Sequence, residues 1–192
     1  MRASSYTVLL DACVLYPAPL RDLLMELATM GLFRAKWTDR IHEEWISALL
    51  RNRADLERSK LERTRGLMNA SVPDCLVTEY EELIPSINCP DPDDRHVIAA
   101  AIRGKCSAII TFDLGDFPAD ELRKYDMEAQ HPDEFVHHQF GLDKASVVTA
   151  AQRIRARLEK KGPYPAEKYL RTLEAQSLPK TVAELSQYAP VI

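Results

Sequence analysis

The stretch PDPDDRHVIAAAIRGKCSAIITFDLGDFP, residues 90–118, decides how the chain is read. Pro90 and Pro92 keep their segment extended or turned, because a fixed φ and a missing amide suit neither a helix interior nor a central strand. Asp93 or Asp94 then opens a helix through RHVIAAAIRG, and Gly104 closes it. Residues 107–112, SAIITF, form a short apolar run that reads as a buried strand ending at Asp113. Asp116 follows three residues later, so a tight turn can bring both carboxylates to one mouth.

The N-terminal end repeats the strand-then-Asp pattern: residues 6–10, YTVLL, read as a buried strand that ends at Asp11. Leu20, Leu23, Leu24, Leu27 and Ala28 keep helical spacing up to Gly31. Thr38 can cap a helix whose Ile41, Trp45, Ala48 and Leu49 share one face. A charged helix fits residues 54–69, and CLV at 75–77 is a candidate strand. Strands alternating with helices predict an α/β fold, a parallel sheet flanked by helices and joined by right-handed crossovers. Beyond residue 118 the helical stretches at 132–140, 143–161, 165–175 and 181–188 come without a strand. The expected organisation is a domain over 1–140 and a helical C-terminal extension over 141–192.

The 192 residues are 46% apolar and 28% charged, enough for a real core in one domain with an appendage. No run of eighteen apolar residues is present, and Asp11 interrupts the N-terminal apolar stretch where a secretory signal would carry no charge. A cytoplasmic location, away from the membrane, is expected. The cysteines at 13, 75, 89 and 106 form no C-x-x-C pair and read as small core residues. The net charge of −4 argues against coating nucleic acid by bulk charge, yet the charges are segregated. Residues 79–94 hold six acids and no base, residues 51–65 six bases and three acids, and residues 153–161 five bases and one acid.

In open α/β sheets ligands gather beyond the carboxyl ends of the strands, where Asp11 and Asp113 are expected to lie. Carboxylates that approach there repel unless a proton or cation sits between them, and Mg²⁺ or Mn²⁺ prefers such oxygen donors. Asp94 at a helix start and Glu44, or Glu43 one register away, can add to the set. Taken singly, Asp94 reads as a helix cap, Glu43 and Glu44 as a solvated helix face, and Asp116 as a turn residue. Their order along the chain, strand Asp, helix Glu, helix-start Asp, strand Asp, is what carries the argument.

The pieces VLLDACVLYP, TDRIHEEWISALLR and residues 90–118, extended by HPDEF at 131–135, resemble PIN-domain ribonucleases, in particular the VapC-like toxins of VapBC toxin–antitoxin pairs. The most specific piece is D-D-R-x-V-x-x-A-A followed by I-I-T-x-D-x-x-D-F. The resemblance implies catalytic acids at Asp11, Glu44, Asp94, Asp113 and Asp116. Of these, Asp11, Asp94, Glu44 and Asp113 would be the metal ligands, and Thr111 a supporting hydroxyl. Asp91 and Asp93 are additional acids. It implies a Mg²⁺- or Mn²⁺-dependent endoribonuclease acting on folded RNA, with a cognate antitoxin that is itself DNA-binding, and a homodimer. Arg51, Arg53, Arg153 and Arg155, with Arg58, Lys60 and Arg157, are candidates to meet the RNA backbone. The tail past Phe140 departs from short relatives.

Two other readings compete. A haloacid-dehalogenase-like phosphatase would also begin with a strand Asp, but that chemistry wants D-x-D and Cys13 stands at the second position. A catalytically silent PIN fold would bind RNA or a partner through the same acids; it is expected to have lost some of them, and all four positions are filled.

Overall fold

Residues 6–192 are described by the computed structural model; the leading MRASS, part of the N-terminal targeting argument, lies outside them. The described chain runs β1 (Thr7–Leu10), α1 (Ala12–Leu15), α2 (Ala18–Thr29), β2 (Arg34–Lys36), α3 (Asp39–Asn52), α4 (Arg58–Ser71), α5 (Arg95–Arg103), β3 (Ala108–Ile110), α6 (Ala119–Arg123), β4 (Glu128–Gln130), α7 (Pro132–Leu142), α8 (Lys144–Glu159), α9 (Ala166–Glu174) and α10 (Pro179–Ser186). Short 3₁₀ segments lie at Glu81–Ser86, Pro92–Asp94 and Leu114–Asp116.

The four strands form one parallel sheet in the order β2-β1-β3-β4. Val8, Leu9, Leu10, Ala108, Ile109 and Ile110 are fully buried, as parallel strands covered on both faces require. Leu10 pairs with Ile110, so β1 and β3 end side by side. The α5 helix packs on both of these central strands. Its Val97–Ala101 stretch has no exposed surface, which explains the alanine-rich composition.

Two expectations about strands are corrected. The chain beyond residue 118 does contain a strand, β4, and residues 75–77 make only one bridge, Trp37 with Leu76. The Trp37 amide donates to Cys75 O (3.0 Å) and the Val77 amide to Trp37 O (2.9 Å), and the pairing goes no further. The charged helix begins at Arg58, later than the expected residue 54.

The chain divides into two units, one reaching Tyr16 and resuming over Phe33–His131, the other Pro17–Leu32 with Pro132–Ile192. The expected boundary lies after residue 140; the C-terminal run of the second compact unit begins at Pro132. Within the second unit α2 packs on α8 and α9, and α7 on α8 and α10. Asp133, at the start of α7, is 4% exposed and accepts the Lys180 and Thr181 amides (both 2.9 Å) at the start of α10. That contact ties α7 to the later helices.

Candidate active site

Asp11 stands where β1 gives way to α1, at the edge where ligands of parallel sheets gather. Its amide continues the ladder to Ile110 O (3.1 Å). Its Oδ1 accepts the Ala12 amide (2.6 Å), and its Oδ2 accepts the Thr111 hydroxyl (2.8 Å) and the Cys13 thiol (3.3 Å). Thr111, wholly buried one residue past β3, also accepts the Asp113 amide (3.0 Å) on its hydroxyl. One hydroxyl thus joins the ends of both central strands and fixes Asp11 relative to Asp113. Carboxylate oxygens of Asp11 and Asp113 and the Cys13 sulfur lie within 4.8 Å of one another.

Asp94 is coupled to Asp11 by charge. It immediately precedes α5, yet its side chain makes no capping hydrogen bond and it has no ion-pair partner among the described residues. Burial pushes its pKa up to about 6, and the charges of Asp11, Asp91 and Asp116 add to the rise. Burial likewise raises Asp11, against the bonds from Thr111, Cys13 and Ala12 and with the Glu44 charge. Such mutual repulsion marks carboxylates that face a common space.

Glu43 and Glu44 have different neighbours. Both Glu43 oxygens accept from Arg58 (2.6 Å each), and Oε1 accepts from Ser47 (2.7 Å), which turns this side chain toward α4. Glu44 instead meets the Nε2 of His96 on α5 (2.9 Å) and the Nε of Arg40 (3.1 Å). Arg40 also donates to Asp93 O (3.3 Å), clasping α3 to the turn that carries Asp94. The Asp91 side chain closes that turn on the Asp93 amide (2.8 Å).

Cys13 and His96 were not singled out from the sequence. Cys13 is two residues from Asp11, but without a C-x-x-C partner it looks like a small core residue in the sequence. No spacing links His96 to Glu44, 52 residues earlier. The carboxylates of Asp11 and Asp113 are the oxygen donors that suit a hard divalent cation; Asp94 and Glu44 are not in that close group and reach it through their charges on Asp11. Cys13 is not a donor of that kind: burial and the Asp11 charge push its thiol well above its usual range, so it keeps its proton.

The arginines separate. Arg51 lies beside the cluster and has no ion-pair partner among the described residues. Arg53 is forked by Asp55 (2.8 and 2.7 Å). In the second unit Arg153 and Arg157 hold Glu26 (3.2 and 2.7 Å), and Arg155 pairs with Glu159 (3.3 Å) and Tyr164 O (3.0 Å).

A parallel α/β domain with carboxylates gathered beyond the strand ends is the class that fold and site define. Residues 7–115 match the family model described as PIN domain, more than half of the chain, and the chain belongs to that family. Residues 132–187 match the model described as VapC50 C-terminal domain. A protein of Mycobacterium tuberculosis (strain ATCC 25618 / H37Rv) named "Putative ribonuclease VapC50" is 40% identical over 78 residues, 38% of this chain and 46% of that protein. The chain thus matches about half the length of that relative. No solved structure matches it. No described helix is long and apolar enough to cross a membrane.

Proposed function

We propose that the chain is a metal-dependent endoribonuclease, the toxin of a VapBC-type pair, with Asp11, Glu44, Asp94, Asp113 and Asp116 as its acidic centre. The observation that carries this is Asp94: a half-buried carboxylate that caps nothing and is pushed to about 6 by burial and three other acids. A group so placed weakens the fold unless a cation relieves it, and phosphodiester hydrolysis gives a reason to keep it. The relative's name points to RNA as the substrate.

In this reading Mg²⁺ or Mn²⁺, when bound, supplies the positive charge that a phosphate needs as its own charge builds, and lowers the pKa of a water. The chain's residues do the positioning. Asp11 is held by three donors and cannot swing away from its neighbours. Thr111 keeps Asp113 in register with Asp11. His96 and Arg40 aim the Glu44 carboxylate. Among the expected RNA-binding arginines, Arg51 is the one in this unit left to meet the backbone.

The test uses the purified chain and folded RNA. Cleavage with Mg²⁺ or Mn²⁺ is expected to stop with chelator, and Asp11→Asn to lose activity while still melting cooperatively. Wild-type cleavage rates from Asp11→Asn or Asp94→Asn reject the assignment of that residue. An antitoxin partner and a homodimer belong to the same reading; the mass of the lone chain and of the pair co-expressed from neighbouring genes checks both.

A further inference from the structure

A cavity of about 390 Å³ opens between α1 and the last turns of α3, lined by Ala12, Tyr16, Trp45, Ala48 and Arg51. Its lining also takes in Glu44 of the proposed acidic centre and Cys13, which bonds Asp11. We propose that it is a nucleobase subsite, which takes an unpaired base of the RNA next to the phosphate at the acidic centre. The proposal deepens the ribonuclease reading and rests on it for the substrate class.

Four observations argue for a base. The volume suits a planar heterocycle. The lining is apolar and aromatic along its floor, where Trp45 is almost wholly buried and so already in place. The Tyr16 hydroxyl accepts from Asn52 Nδ2 (3.1 Å), which holds the ring from the end of α3. Of the two bases of the 51–65 stretch without a carboxylate partner among the described residues, Arg51 and Arg63, Arg51 is the one at the rim; Arg53, Arg58, Lys60 and Arg65 are all paired. An aromatic ring and a guanidinium beside an apolar floor are how proteins hold single-stranded bases. A base inside a duplex cannot enter such a cavity, so the substrate is an RNA with an unpaired nucleotide beside the cut. Ala48 leaves the cavity open, and a larger side chain there fills it.

Binding of the four nucleoside 5′-monophosphates and of ribose 5-phosphate to the full chain, measured calorimetrically with Mg²⁺ present, tests the proposal. At least one nucleotide is expected to bind about fivefold or more tighter than ribose 5-phosphate. Ala48→Phe and Tyr16→Ser are each expected to bring that ratio close to one, and Tyr16→Ser carries the test if Ala48→Phe does not fold. Equal affinities in the wild type, or a base-dependent ratio that survives the folded variants, overturn the proposal. Metal-dependent cleavage with no base-dependent binding rejects the subsite and keeps the ribonuclease. Base-dependent binding lost in the variants, with no cleavage of any RNA, keeps the subsite and rejects the ribonuclease.

Discussion

The carboxyl of Asp94 sits before α5 without capping it, and its pKa of about 6 links the site to stability. An unfolded Asp titrates near 3.9, so between about pH 4 and 6 the folded chain binds more protons than the unfolded one. Stability is therefore lost as pH rises through that window, and the full penalty stands above it. Asp94→Asn is expected to raise the melting temperature of the metal-free protein at pH 7.5, with the gain fading toward pH 4; scanning fluorimetry across pH reads it. An unchanged melt at pH 7.5 places Asp94 outside the crowded cluster. Glu44→Gln is expected to cut cleavage by about tenfold or more, the scale of losing an oriented acid at a metal site, while Glu43→Gln changes it little. Asp11, Asp94 and Asp113 were legible in the sequence because each adjoins a strand end or a helix start. The sequence leaves Glu43 and Glu44 one register apart, since their partners, Arg58 for Glu43 and His96 for Glu44, are chosen by packing between helices.

At the scale of elements, a buried polar network holds the Glu44 helix in place. Trp45 Nε1 donates to His42 Nδ1 (3.1 Å), so the proton of this wholly buried imidazole is on Nε2 and goes to Asn69 Oδ1 on α4 (2.9 Å). Trp37 Nε1 donates to the same oxygen (2.8 Å). Asn69→Ala strands two donors, and an unsatisfied buried group costs about 1–3 kcal/mol. A loss of roughly 2 kcal/mol or more is expected by urea denaturation; a loss under about 0.5 kcal/mol contradicts the network. The long elements were legible from periodicity: the α2 leucines, the Thr38-capped α3 and the alanine-rich α5. Strands β2 and β4 were not, because RAK and EAQ are too short and polar to show alternation. They are strands because β1 and β3 offer edges to pair with. The opposite error, CLV at 75–77, arose because an apolar triplet resembles a strand even where only Trp37 is available to bridge.

At the scale of the molecule, the unit carrying the acidic centre is interrupted in sequence by α2, which packs on α8 and α9 instead. Apolar periodicity announced the helix but could not name its partner, which comes more than a hundred residues later. Leu20, Leu23, Leu24 and Leu27 are wholly buried, and a buried Leu is worth about 1.5–3 kcal/mol. A chain cut after His131 is expected to aggregate, because these leucines lose the helices they pack on; a monodisperse monomer on size-exclusion chromatography contradicts the assignment. The central claim is that side chains from the residue after β1, from α3, from the turn before α5 and from the turn after β3 hold one divalent cation. Anomalous diffraction from a crystal grown with Mn²⁺ tests it most directly. The account predicts a peak coordinated by Asp11 and Asp94, with Asp113 or Glu44 bound to it directly or through water. Mn²⁺ found only elsewhere, with Asp11 and Asp94 left without it, contradicts it.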